Sequence, residues 1–208
     1  MENNPDRKSP GGIRRRDFIK GMGTGALGTA LMPKLFGQET IDTKAGAVPL
    51  YDKKSIALTV NGKASTLIVA PNETLLDVLR DRLEITGPKK VCDHGQCGGC
   101  TVLLDGVPIY ACMSLAIRAD GRSITTVEGL AQGDKLHPLQ DAFIEHDGYQ
   151  CGFCAPGFLT ASAALLARNP NPKPDDIRLA LSGNLCRCGN YVKIYEAVAA
   201  AAGKMRGA

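Results

Sequence analysis

The number and spacing of the cysteines limit what this chain can fold into more than any other feature. There are eight, in two quartets: Cys92-x4-Cys97-x2-Cys100 followed by Cys112, and Cys151-x2-Cys154 followed by Cys186-x-Cys188. None is left over for a core position or a lone thiol. A Cys-x4-Cys-x2-Cys run with a distal fourth cysteine is the plant-type [2Fe–2S] ligand spacing. The second quartet supplies four more thiolates, enough for a second cluster. A fold that gathers both sets would hold two one-electron centres, which points to electron transfer.

Other uses of eight cysteines account for less. Zinc is bound by thiol pairs usually separated by two to four residues, and Cys186-x-Cys188 is closer than that. An even count in an exported chain suggests disulfides, but that rule belongs to short chains without a core. This chain has 208 residues and is 44% hydrophobic. A thioredoxin-like reading of Cys151-Gly-Phe-Cys154 explains only that pair. Gly95, Gly98 and Gly99 lie among the first cysteines, where a loop must turn sharply and bring N–H groups close to sulfur. Cys92-Asp93-His94 offers half of a Rieske ligand pattern, but Cys97 is followed by Cys100 and not by histidine. His94 is therefore expected beside the site or in solvent, and His137 and His146 are assigned no chemistry.

The N-terminus suggests where such a protein works. Arg14-Arg15-Arg16-Asp17-Phe18-Ile19-Lys20 precedes an uncharged stretch from Gly21 to Met32. This matches a twin-arginine export signal, departing from it at Arg14, where serine or threonine is usual. The stretch is too short to span a bilayer, so no stable membrane anchor is expected. A cationic arm for nucleic acid lacks a second basic patch, so no nucleic-acid partner is expected. Gly23-x-Gly25-x-x-Gly28 spells a dinucleotide fingerprint, but no strand precedes it. Ala45-Gly46-Ala47 fits a cleavage site, so the mature chain is expected to begin near Val48. An oxidising periplasm is a poor place to assemble thiolate–iron sites. Export of a folded, loaded protein by the twin-arginine machinery resolves that conflict, and a periplasmic location is expected.

Three regions follow: signal and linker over 1–50, a first domain over 51–130 and a second over 131–208. In the first, Ser55–Val60 and Ala64–Val69 are strands around the tight turn Asn61-Gly62. Asn72 is placed to cap a helix carrying Leu75, Leu76, Val78, Leu79 and Leu83. Strands are expected over Thr101–Leu104, over Val107–Ala111 after the turn Asp105-Gly106, and over Ile124–Val127. In the second, helices are expected over Pro138–His146, Pro156–Arg168, Asp175–Leu181 and Tyr191–Ala202. Asp175 and Asp176 follow Pro174 and suit a first helical turn better than a catalytic pair. The expected fold class is α+β: an N-terminal β-grasp, ferredoxin-like domain, then a four-helix domain around the second quartet.

Three segments carry a family resemblance: Cys92-Asp-His-Gly-Gln-Cys97-Gly-Gly-Cys100-Thr, Gln150-Cys-Gly-Phe-Cys154 and Ser182-Gly-Asn-Leu-Cys186-Arg-Cys188-Gly. Together they resemble the iron–sulfur small subunit of the xanthine oxidase family of molybdenum hydroxylases, from Ser55 to about Ala200. The export signal and Leu136-His-Pro-Leu-Gln140 resemble the branch of periplasmic aldehyde oxidoreductases, heterotrimers with a flavin and a molybdenum subunit. The resemblance implies one [2Fe–2S] cluster on Cys92, Cys97, Cys100 and Cys112, passing electrons to FAD on a medium subunit. It implies a second on Cys151, Cys154, Cys186 and Cys188, facing the molybdopterin cofactor of a large subunit. Gln150 and Cys188 would lie against the pterin, and the oxidation of aldehyde to carboxylic acid would belong to the large subunit. Two alternatives remain: a cytochrome-linked N-heterocycle hydroxylase without flavin, and a stand-alone ferredoxin-like carrier or zinc module. The formal net charge of +4 would be offset by two dianionic clusters, which fits a subunit better than a binder of polyanions.

Overall fold

The structure, a computed structural model, describes residues 52–207. The arginine motif, the stretch Gly21–Met32, the Gly23–Gly28 pattern and the Ala45–Ala47 cleavage site lie outside the described residues.

Alternating burial builds the first hairpin. In β1 (Lys54–Val60), Ile56, Leu58 and Val60 point into the core and the residues between them are more exposed. Asn61 and Gly62 take φ of 50° and 80°, the left-handed pair that suits a two-residue turn, and β2 (Lys63–Val69) returns antiparallel. The same chemistry recurs at Asp105 and Gly106, φ 48° and 79°, between β3 (Thr101–Leu104) and β4 (Val107–Tyr110). β5 (Ser123–Thr125) completes a sheet in the order β2-β1-β5-β3-β4, parallel to β1 and antiparallel to β3.

Three expectations shift, each for a local reason. The first helix is capped by Thr74 and not Asn72: the Thr74 hydroxyl accepts the Asp77 N–H at 3.1 Å. Extended pairing of Thr74 with Leu115, with Leu75 N–H on the Ser114 carbonyl, holds the chain straight until α1 (Leu75–Asp77) can begin. A π-type turn, Val78–Arg82, continues it. The fifth strand ends at Thr125, because Asn61 Oδ1 takes the Thr126 N–H at 2.9 Å and Val127–Gly129 winds into a 3-10 turn. The fourth ends at Tyr110, where a 3-10 turn, Ala111–Met113, carries Cys112 inward.

The second half is helical: α2 (Pro138–Glu145), α3 (Ala155–Arg168), α4 (Pro174–Ala180) and α5 (Tyr191–Arg206). Asp176 accepts the Lys173 N–H at 2.8 Å and Asp175 pairs with Arg178 at 2.7 Å, so both acids serve the start of α4. The last helix runs past Ala202 because Lys204 reaches Glu145 and Arg206 reaches Asn171. Among the described residues no helix is long and apolar enough to cross a membrane.

Two hydrophobic cores result. One gathers Ile56, Leu75, Leu79, Val102 and Ile124 and includes Cys100 and Cys112. The other gathers Phe143, Phe158, Leu181, Ile194 and Val198 and includes Cys186, with Val127 and Leu130 packed against it. Each core thus reaches one quartet of cysteines. The fold is the expected α+β.

Candidate metal centres

Residues 89–100 form an irregular loop between the helical turns and β3, closed by Lys89 N–H on the Gly99 carbonyl at 2.9 Å. Asp93, Gly95 and Gly98 take positive φ, which turns backbone N–H groups toward sulfur. The Gln96 N–H donates to Cys92 Sγ at 3.3 Å. Burial alone would raise the Cys92 thiol, but the N–H groups of His94 and Gln96, with neighbouring Cys97, hold it down to about 6. Cys100 and Cys112 are buried with their sulfurs 3.4 Å apart, and burial pushes Cys100 up to about 12. The first quartet therefore divides into an outer pair, Cys92 and Cys97, and an inner pair, Cys100 and Cys112. His94 is exposed and turns Nδ1 onto the Cys92 carbonyl, so it lies beside the site.

The second quartet divides in the same way. Cys151 and Cys188 are exposed; the Phe153 N–H and then the Cys188 side chain hold Cys151 below the usual thiol range. Cys154 begins α3 and pairs with buried Cys186; burial first, then Cys186, pushes Cys154 up to about 12. The Cys186 N–H donates to the Tyr191 hydroxyl at 2.9 Å, which ties this loop to the first turn of α5.

No three of the described His, Cys, Asp or Glu side chains converge as ligands of a single ion. The thiols come in twos, and two pairs are what a [2Fe–2S] cluster takes, two thiolates on each iron. Cys92, Cys97, Cys100 and Cys112 would hold one such cluster; Cys151, Cys154, Cys186 and Cys188 would hold another. Metal coordination deprotonates a thiol outright, so the raised inner thiols are no obstacle to ligation.

The two loops are fastened to each other. Leu185 N–H donates to the Cys97 carbonyl at 2.9 Å, and Leu185 precedes Cys186. Asn184, buried, donates Nδ2–H to the Gly98 carbonyl at 3.0 Å, and the Tyr110 hydroxyl donates to the Gly183 carbonyl at 2.9 Å. Burial, then the charge of the first quartet, raises the Tyr110 hydroxyl above its ordinary value and keeps it a donor. Gly98, at φ 67°, has no room for a side chain: a Cβ there would lie 2.6 Å from the Gly183 carbonyl oxygen. Gly157, in the first turn of α3, faces the Gly98 carbonyl just as closely. A cavity of about 450 Å³ opens beside this junction, lined by Cys97 and by Cys151, Cys154 and Cys186. Val91, Phe153 and Leu185, also in its lining, are each about half exposed.

Gln150 and Cys188 are both exposed, and Gln150 Nε2 donates to Asn190 Oδ1 at 3.3 Å. The sequence singled out all eight cysteines but gave no role to Tyr110, Asn184, Asn190 or Tyr191. The signal for Asn184 was its place two residues before Cys186 in the third segment.

Comparison with known proteins agrees with this geometry. Residues 58–122 match a 2Fe-2S iron-sulfur cluster binding domain, and residues 126–199 a [2Fe-2S] binding domain. The chain is 41% identical over 210 residues to the aldehyde oxidoreductase iron-sulfur-binding subunit of Escherichia coli, covering 93% of this chain and 90% of that one. It is 49% identical over 154 residues to the nicotine 6-hydroxylase small subunit of Paenarthrobacter nicotinovorans, covering 74% of this chain and 93% of that one. Among solved structures, a chain of quinoline 2-oxidoreductase from Pseudomonas putida superposes with a TM-score of 0.71 at 46% identity, covering 74% of this chain and 97% of that one. Two domains in that order, two paired-thiol loops and relatives matched along almost their whole length lead to one conclusion: the chain belongs to the iron–sulfur small subunits of the xanthine oxidase family of molybdenum hydroxylases.

Proposed function

We propose that this chain is the electron-relay subunit of a periplasmic, molybdenum-containing aldehyde oxidoreductase, exported by the twin-arginine route as a signal and linker (1–50) ahead of two cluster domains (51–130 and 131–208). One observation carries the reading: the two thiol sites are linked by a single peptide hydrogen bond, Leu185 N–H to the Cys97 carbonyl. Two [2Fe–2S] clusters on those thiolates would each carry one electron at a time. The chain itself does the positioning. Asn184 and Tyr110 lock the two loops together; Cys100, Cys112 and Cys186 lie in packed cores, with Cys154 partly buried against the second. Cys151 and the half-exposed Val91, Phe153 and Leu185 line one apolar face suited to a large partner subunit, and Gln150 and Cys188 are exposed beside Cys151 and Arg187 in sequence. In this reading Gln150 and Cys188 meet the molybdopterin of that subunit, and the first quartet hands electrons to FAD on a medium subunit.

The aldehyde branch is supported by the similarity to the Escherichia coli subunit, which covers 93% of this chain and so takes in most of residues 1–50. A second reading is an N-heterocycle hydroxylase without flavin; its substrate class, though not the lack of flavin, is favoured by the higher identity, 49%, to the nicotine 6-hydroxylase small subunit. Native purification of the tagged chain from periplasm, with iron, molybdenum and flavin quantified on every partner, separates them. Molybdenum and FAD on two partner subunits are expected. Molybdenum without flavin would favour the second reading. Iron on a solitary chain, or no chain in the periplasm, would sink the proposal.

A further inference from the structure

Gln150 is exposed, but its amide is not free to turn. Its Nε2 donates to Asn190 Oδ1 at 3.3 Å, and Asn190 Nδ2 donates to the Asp147 backbone carbonyl at 2.8 Å. Asn190 is only 8% exposed and stands at the N-cap of α5, where an asparagine side chain ordinarily accepts a backbone N–H of the first turn. Here it makes no such bond and turns back to the loop before Cys151. The loop is firm at that point. Gly148 N–H bonds the Phe143 carbonyl at 2.8 Å, closing α2, and Asp147 sits at φ 53°.

The order of donors and acceptors then follows by necessity. A backbone carbonyl only accepts, so the nitrogen of the Asn190 amide must face Asp147. Its oxygen must face Gln150, and Gln150 must answer with nitrogen. What Gln150 has left for a ligand is the second N–H of Nε2 and its carbonyl oxygen, Oε1, which is its one acceptor. The backbone carbonyl of Asp147 thus sets the polarity of an exposed side chain beside Cys151, through buried Asn190.

We propose that Asn190 is a positioning residue that holds the Gln150 amide with Oε1 toward the partner face, where it recognises an N–H on the edge of a nitrogen heterocycle. The inference rests on the reading above that Gln150 meets the pterin, and it adds the residue that orients the contact and the ligand edge that fits it.

A double-substitution cycle on the purified subunit complex tests it. Asn190→Ser is the folding-safe variant, because serine is a good N-cap while its hydroxyl falls short of Gln150. Gln150→Ala removes the contact itself. Each single variant is expected to weaken association with the molybdopterin-loaded partner, and to lower kcat, by about tenfold, the worth of one hydrogen bond. KM for the substrate and the iron content of both clusters should be unchanged. The double variant should be no weaker than either single one, because Asn190 acts only through Gln150. Losses that multiply in the double variant would give Asn190 an independent structural role and overturn the proposal. So would a loss in Gln150→Ala with none in Asn190→Ser. No loss in Gln150→Ala would instead remove the pterin contact, and with it this inference.

Discussion

Gly98 has three constraints on one α-carbon. Its φ of 67° is left-handed, its carbonyl accepts from Thr101 and Asn184, and the Gly183 carbonyl closes the space where a Cβ would go. Neither carbonyl can step aside without moving a cysteine loop. Gly98→Ala should therefore cost about 2 kcal/mol or more, from left-handed strain together with a backbone clash. It should also lower iron bound per chain at both quartets. Tyr110→Phe is the contrast. It removes one hydroxyl and its bond to Gly183, should cost about 1 kcal/mol, and should leave iron content whole. Thermal melts and iron assays on both variants check the pair. At this scale the grouping of the cysteines was legible in their spacing, and the structure sets Cys100 beside Cys112 and Cys154 beside Cys186. Asn184, Tyr110 and Asn190 were not, because their bonds cross 86, 73 and 40 residues of sequence.

Among the elements, α2 shows how a local signal can be seen and its use missed. Its start carries a capping box built on His137: Nδ1 accepts the Leu139 N–H at 3.2 Å, while Gln140 Oε1 accepts the His137 N–H at 2.8 Å. The sequence placed the helix but assigned His137 nothing. Burial lowers its pKa from the ordinary 6.5, with Asp141 opposing the shift. The unfolded chain thus takes up a proton on His137 at a higher pH than the folded one does. Stability should be full above 6.5 and fall as pH drops below it, down to the lowered folded value. His137→Asn keeps a capping acceptor that does not titrate and should flatten that dependence, as melts at pH 7.5 and pH 5 would show. The hairpins were legible for the opposite reason, since Asn61-Gly62 and Asp105-Gly106 carry their turn geometry within two residues. The cap at Thr74 was hidden because it depends on residues 114–116, which hold the chain extended just before it.

At the level of the whole molecule, two cores each reach one quartet, and the quartets touch through Leu185 and Cys97. That arrangement predicts sites that fill separately but work in series. Cys112→Ser should remove one of two paramagnetic signals and about half the iron, leaving the second signal intact. Cys154→Ser should do the reverse and also stop electron delivery from the partner. Electron paramagnetic resonance with stopped-flow reduction of the purified complex reads both. If turnover persisted in Cys154→Ser, the order of the relay would have to be reversed.

The position of β5 has a consequence for how the protein is made. It lies in the middle of the sheet, between β1 and β3, yet it is the last of the five strands to leave the ribosome. Until Ser123–Thr125 has been synthesised, β1–β2 and β3–β4 are two separate hairpins with the first cysteine loop slack between them. The second loop waits longer still, for Cys188. The first site can therefore take its iron once Thr125 has been made, and the second only once Cys188 has, so the order of the two domains along the chain sets the order in which their sites can be filled.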